Sequence, residues 1–174
     1  MADRAEDWIE RLQLVEHPEG GYFRRTYRSS FTLPRPCLPE GFPGPRPLAT
    51  AIYYLLKGGG KSLFHRIKSD ELWHHYEGGA LSVVVIQPDG HLLEGRLGRD
   101  FREGESFQFL APAGCWFGAM VHAPRSYALV GCTVAPGFDF EDLELGVREE
   151  LVRLYPQHRR LIENLTPANL LEEH

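Results

Sequence analysis

His65 and Glu71 are the side chains of this chain best placed to do chemistry together, and His74 and His75 follow close behind. An imidazole titrates near neutral pH, and a carboxylate beside it can hold its tautomer or share its proton. The same two groups are also metal donors. Residues two apart on a strand share a face, so His65 belongs with Leu63 and Ile67. On the next strand Glu71, Trp73 and His75 share a face. His74 and Tyr76 point the other way unless a β-bulge re-aims them. Taken singly, these residues have plainer readings. A histidine in a half-apolar strand is commonly a hydrogen-bonded core residue, and Glu71 after Asp70 reads as a turn carboxylate.

Short strands must position these groups. Ala51–Leu56, Leu63–Lys68, Glu71–Tyr76, Leu81–Ile86, His91–Leu97, Ser106–Leu110, Cys115–Met120 and Tyr127–Val134 all read as strands. Gly or Pro separates most of them, and Gln87-Pro88-Asp89-Gly90 is a strong turn. That density predicts an all-β sandwich or barrel. Tyr22–Arg28 reads as a further strand. Before it, Ala5, Trp8, Ile9 and Leu12 mark one face of a short helix, with Asp3 and Glu6 as a capping box. Val147, Leu151 and Leu154, then Leu161, Ile162 and Leu165, predict helical turns packed outside the barrel. Thr32–Pro47 carries six prolines and cannot be a central strand, so a long exposed loop is expected. The division is one domain over 1–174: helix, strand and loop in 1–47, barrel in 48–136, helical tail in 137–174.

The chain has 174 residues, 43% of them hydrophobic, and a formal charge of −5. This suits one domain with a sizeable core and gives no support for nucleic-acid binding. The apolar runs are too short to span a bilayer, and no secretory h-region opens the chain. Cys37, Cys115 and Cys132 are widely spaced and odd in number, which reads as free thiols in a reducing compartment. A cytoplasmic protein is expected.

The stretch from Gly59 resembles the first signature of the cupins, small β-barrels whose histidines and glutamate usually hold a metal. It runs Gly59, five residues, His65, one residue, Ile67, three residues, Glu71, six residues, Gly78. Ile67 stands where the second histidine is expected. The second signature resembles Gly104 through Pro112-Ala113-Gly114, with Phe117 in place of the last histidine. The resemblance implies a double-stranded β-helix, or jelly roll. Two of four ligand positions remain, which is a poor site for a first-row metal. No cofactor is therefore expected. Should a divalent metal bind, His65, Glu71 and His74 or His75 are its ligands. Together, His65 and Glu71 at this spacing favour a pocket with perturbed ionisation.

His17-Pro18-Glu19-Gly20-Gly21-Tyr22-Phe23-Arg24, Thr50–Leu56, Phe64-His65-Arg66, Ser69–His74 and Val134–Glu141 resemble one cupin subgroup, cupin family five, formerly a domain of unknown function. The proline-rich stretch before Leu48 is longer than that group's pattern. The resemblance implies a homodimer and supplies no established reaction. An open edge at Tyr22–Arg28 argues for a dimer as well. Gly20-Gly21-Tyr22-Phe23 is more distantly similar to the metal-independent nucleotide-sugar 3,5-epimerases of the rhamnose pathway. That likeness implies a histidine base and a tyrosine acid. His65 is the natural base, with Glu71 or Asp70 to fix its tautomer and Glu71 taken as its catalytic partner. The tyrosine stays open among Tyr53, Tyr54, Tyr76 and Tyr127. Tyr22, Arg24, Tyr53, Trp73, His75 and Phe117 are assigned to ligand binding. The expected function is a metal-independent cupin that binds a small polar metabolite, a sugar or nucleotide-sugar, with isomerase or epimerase chemistry. The alternatives are a non-catalytic binding or storage cupin and a metal-dependent cupin enzyme. No nucleic-acid or membrane partner is expected.

Overall fold

The computed structural model describes residues 2–167. Its strands, in chain order, are β1 (Val15–Glu16), β2 (Tyr22–Arg28), β3 (Thr32–Leu33), β4 (Arg46–Pro47), β5 (Thr50–Lys57), β6 (Lys61–Arg66) and β7 (Asp70–Gly78). They continue as β8 (Leu81–Ile86), β9 (Leu92–Leu97), β10 (Gln108–Ala111), β11 (Trp116–Val121), β12 (Tyr127–Ala135) and β13 (Glu144–Leu145). The helices are α1 (Ala2–Leu12), α2 (Arg148–Leu154) and α3 (Arg159–Asn164).

Two antiparallel sheets face each other. One has the order β1-β2-β5-β12-β7-β10 and the other β13-β6-β11-β8-β9. Alternation along the strands sends Leu56, Trp73, Val83, Val85, Phe117, Ala119 and Val130 into the shared interior. The outward faces are covered by the helices. Trp8, Ile9 and Leu12 of α1 pack on Leu55, Tyr127 and Leu129 of the six-stranded sheet. Leu151 of α2 and Ile162 of α3 pack with Phe64, Val84 and Trp116 on the five-stranded sheet. This is the all-β jelly roll of the cupins with short helices outside. α1 spans Ala2–Leu12, and the capping box expected at Asp3 falls on a side chain outside the described ones.

The proline-rich stretch is more ordered than a plain loop. Its ends pair as β3 and β4, with Thr32 opposite Pro47. Arg46 is buried there, and its guanidinium makes a two-pronged ion pair with Asp142, Nε–Oδ2 at 2.7 Å and Nη2–Oδ1 at 2.8 Å. Strand β1 pairs only with Tyr22 and Phe23 of β2, so the outer edge of β2 from Arg24 onward carries no strand partner among the described residues.

Three bulges interrupt the alternation. The register of β11 on β6 slips between Phe117 and Ala119. That of β2 on β5 slips between Arg25 and Tyr27. That of β12 on β7 slips between Leu129 and Val130. A bulge adds one residue to a strand and reverses which face the following side chains take. The first two bulges decide which side chains reach the site.

Candidate active site

A cavity of about 40 Å³ opens between the sheets, lined by His17, Glu19, Glu71 and His65 with Cys132 and an apolar rim. That is room for about three waters at about 10–15 Å³ each. Glu19 is its centre. The turn His17–Gly21 drops this carboxylate inward, and the Leu63 amide donates to the Glu19 carbonyl at 2.7 Å, fixing the turn on β6. Gly20 makes the approach possible. Its φ is +105°, and a Cβ there would collide with the Lys61 carbonyl.

Glu19 Oε2 lies 2.9 Å from His65 Nε2, and its Oε1 accepts from Ser62 Oγ at 3.0 Å. Ser62 and His65 are three residues apart, which alternation alone would put on opposite faces. The β6 bulge brings both to Glu19, so Ser62 and not Leu63 shares the contact of His65. His65 Nδ1 lies 2.7 Å from the Leu63 carbonyl, an acceptor only, so this nitrogen carries a proton. Phe117 covers the imidazole, with ring centroids 4.1 Å apart.

These groups set one another's ionisation. Burial pushes the His65 pKa down, but the Glu19 charge and hydrogen bond outweigh it and raise the value to about 8. Glu19 is the mirror case. Burial would raise it, and His65 wins, holding it below the ordinary carboxylate value. Glu71 is raised to about 7, first by burial and then by the Glu19 charge, with His65 and the Cys132 thiol opposing. Near neutral pH the cavity thus contains an imidazolium, a carboxylate and a carboxyl about half protonated, the usual outcome when two acids share one buried site. His17 is lowered, chiefly by burial. Its Nδ1 accepts the Glu19 amide at 3.3 Å, so the neutral ring carries its proton on Nε2.

The structure brings His65 and Glu71 to one cavity. The residues assigned to ligand binding lie elsewhere. Tyr22 and Tyr53 face outward beneath α1. Arg24 is exposed, and its Nη1 donates to the Leu12 carbonyl at 3.1 Å. Trp73 is fully buried core against Tyr54 and Phe117. His75 is buried, with Nε2 3.0 Å from the Gly79 carbonyl and Nδ1 unpartnered. Phe117 supports His65 from the core and does not line the cavity. On β2 and β5 the cavity takes Phe23, Thr50 and Ile52, one residue out of step with Tyr22, Arg24 and Tyr53. None of Tyr53, Tyr54, Tyr76 and Tyr127 lines it, and the Tyr54 hydroxyl donates to the Gly20 carbonyl at 2.6 Å. The sequence reading missed His17 and Glu19 as site residues. Their signal was a histidine and a glutamate on a double-glycine turn.

The donor set does not fit the metal that cupins usually carry. Both His65 nitrogens are engaged by protein groups. Ile67 and Phe117 are buried apolar core at the positions of two ligands. His74 faces outward, bonded through Nε2 to Thr133 Oγ1 at 3.1 Å and approached at Nδ1 by Gln108 at 3.0 Å, so it cannot join His65 and Glu71. Among the described residues no group of three or more His, Cys, Asp or Glu is arranged to hold a metal ion. Nor is any described helix long and apolar enough to cross a membrane.

A family model described as "Cupin superfamily (DUF985)" matches residues 6–146. The uncharacterized protein YML079W of Saccharomyces cerevisiae is 32% identical over 145 residues, covering 78% of this chain and 70% of that protein. The crystal structure of protein SO0799 from Shewanella oneidensis superposes with a TM-score of 0.84 at 40% identity, over 95% of this chain and 98% of that one. A hypothetical protein from Leishmania major superposes at 0.85 with 35% identity, over 94% and 99%. Oxalate decarboxylase from Bacillus subtilis superposes at 0.53 with 16% identity, over 91% of this chain and 41% of that one, a likeness of fold alone.

Proposed function

The chain belongs to the DUF985 family of the cupin superfamily, and from that premise we propose a metal-independent cupin that binds a small polar metabolite, of the sugar or nucleotide-sugar kind, and exchanges a proton with it at Glu71. The observation that carries this reading is a cavity-lining carboxyl with a pKa of about 7 beside a buried imidazolium–carboxylate pair. A group poised near working pH both takes and returns a proton efficiently.

The roles follow from the geometry. His65 has no lone pair free at neutral pH and acts as a fixed positive charge, oriented by Glu19 and Leu63. The base role therefore passes from His65 to Glu71. In the proposed step the Glu71 carboxylate removes a proton from carbon next to a substrate carbonyl, leaving an enolate. The His65 charge favours that developing negative charge in a site of low dielectric. Glu71 then returns its proton to the neighbouring carbon or oxygen. One shuttling carboxyl suffices for an isomerase. A two-sided epimerase needs an acid opposite, and no tyrosine lines the cavity.

Incubation in deuterated water with a panel of keto-sugars and their phosphate and nucleotide derivatives tests this reading. Substrate carbon should gain deuterium with the parent and not with Glu71→Gln. Exchange by Glu71→Gln at the parent rate would remove Glu71 from the reaction. Tight binding without exchange would establish a binding protein, a second reading favoured by the mutual satisfaction of Glu19 and His65.

A further inference from the structure

Outside the cavity lies a second space, a cleft of about 430 Å³ lined by Phe23, Arg25, Arg28, Phe138, Asp139 and Phe140 together with Thr50 and Ile52. Phe23, Thr50, Ile52 and Phe138 wall both spaces, so the cleft is the vestibule of the cavity. Its volume falls within the range of about 300–1,000 Å³ for metabolite pockets, whereas the inner cavity, at about 40 Å³, has room only for the reactive edge of a head group, a few heavy atoms.

Arg25 and Arg28 are both exposed, and neither has an ion pair or side-chain hydrogen bond among the described residues. Arg46 and Arg66 are engaged with Asp142 and Glu144, whereas Arg11, Arg35, Arg125, Arg153 and Arg160 share the unpartnered state among the described residues; what sets Arg25 and Arg28 apart is that both line one cleft. Arg25 and Arg28 are three apart, and strict alternation would turn one of them away. The bulge between Arg25 and Tyr27 reverses the phase, so both guanidiniums border the cleft. A strand irregularity thus brings two unpartnered guanidiniums to one cleft, against a single carboxylate, Asp139, in a chain of net charge −5. Guanidinium forks suit phosphate oxygens. The remaining walls are aromatic. Phe138 and Phe140 meet edge to face at 5.1 Å, and Phe140 stacks on His17 at 5.9 Å. Asp139 is the cleft's carboxylate. Its Oδ1 accepts the Glu141 amide at 2.9 Å, which leaves its other oxygen for a hydroxyl.

We infer that the cleft is a phosphate subsite: Arg25 and Arg28 hold the phosphate or diphosphate of the metabolite whose uncharged head presents its reactive edge to the Glu71 cavity, and the phenylalanines flank its flat or apolar portion. This rests on the proposed function for the head group only, because the arginines and the cleft stand independently of Glu71. The source of the phosphate, a sugar phosphate or a nucleoside diphosphate, is separated by the choice of probes.

Isothermal titration calorimetry of the full chain with inorganic pyrophosphate, glucose 6-phosphate, uridine diphosphate and uridine tests the inference. At least one phosphate-bearing probe should bind tenfold or more tightly than uridine. The variant carrying Arg25→Gln and Arg28→Gln should lose tenfold or more of that affinity, with an unchanged thermal midpoint because both side chains are exposed. Glu71→Gln should bind pyrophosphate as the parent does. Uridine diphosphate binding more tightly than pyrophosphate identifies a nucleoside carrier, and glucose 6-phosphate binding alone identifies a sugar phosphate. Equal binding of uridine and uridine diphosphate, undiminished binding by the double variant, or no binding of any phosphate probe at millimolar concentration would overturn it. Phosphate binding without proton exchange at Glu71 would leave the subsite standing and remove the isomerase reading.

Discussion

Replacing Glu19 with Gln removes one charge from a buried pair and leaves its shape nearly unchanged. Its amide oxygen still accepts from Ser62 Oγ, now 3.0 Å from Oε1. What disappears is the field that holds the proton on His65. In the parent the folded His65 pKa is about 8 against an ordinary 6.5. The raised value means that the folded state binds the proton more tightly. This stabilisation is fully present below pH 6.5 and is lost as pH rises through about 8. At 1.36 kcal/mol per pH unit it amounts to about 2 kcal/mol. In the variant burial still lowers the His65 pKa and only the Glu71 charge and the Leu63 carbonyl still raise it, so the value falls from about 8. The low-pH stabilisation falls with it. Glu71 moves the same way, since the Glu19 charge helps to raise it. Its carboxylate is easier to bury once that charge is gone, and this benefits the variant most at high pH. Glu19→Gln should therefore destabilise the protein by about 2 kcal/mol more at pH 6 than at pH 9. For a chain of this length that is about 4–8 °C between the two shifts in thermal midpoint. Differential scanning calorimetry at both pH values reads the shift, and a nitrogen-edited NMR titration of the His65 ring reads its cause. An equal loss at both pH values, or an unchanged His65 titration, would refute the ion pair as the organiser of the cavity.

The remaining expectations concern other elements. Glu71→Gln should match the parent below pH 4.5 and exceed its stability at pH 8 by about 3 kcal/mol, because a carboxyl raised from 4.5 to about 7 loses stability as pH rises through that window; thermal melts at pH 4.5 and 8 measure it, and a less stable variant at pH 8 would contradict the shift. Arg46→Met strands the Asp142 carboxylate and should cost about 3–5 kcal/mol, much of it recovered by adding Asp142→Leu; urea titration in which the double variant is no better than the single one would show that the pair does not act as a unit. The open edge of β2 predicts a two-fold dimer, so light scattering should give about twice 19.8 kDa at micromolar concentration, and the monomer mass alone would count against it.

The barrel was legible because its strands are short, β-branched and punctuated. Leu81–Ile86 is a strand at the residues where its pattern predicts one, and Thr50–Lys57 and Tyr127–Ala135 extend the expected segments by one or two residues. Cys115, Phe117 and Ala119 face inward as alternation requires. What was not legible is parity. A bulge has no strong signature in side-chain types, yet it reverses every face that follows it. The site depends on two of them, one uniting Ser62 with His65 and the other Arg25 with Arg28. Tyr22, Arg24 and Tyr53 lie before the β2 bulge in regular register, and plain alternation already puts them on the face opposite Phe23 and Ile52. Glu19 was hidden for another reason. It comes from a turn 46 residues before His65, and the close approach of Gly20 to Lys61 and the Leu63 amide bond to its carbonyl carry its carboxylate into the interior.

The clasp between Arg46 and Asp142 also has a use. It ties the end of the proline-rich excursion to the turn just after Phe138 and Phe140, and the Gly137 amide donates to the Pro47 carbonyl at 2.8 Å. The vestibule wall therefore depends on where the excursion ends and not on how long it is. Leu38 and Phe42 are buried, but Pro34 to Cys37 form an exposed tip. Exposed tips accept inserted sequence with little thermodynamic cost. A fluorophore on Cys37, the one exposed thiol among the three cysteines, would ride on an arm fastened to the rim of the cleft. The chain thus carries a natural attachment point for an optical sensor of the phosphate ligand proposed for that cleft.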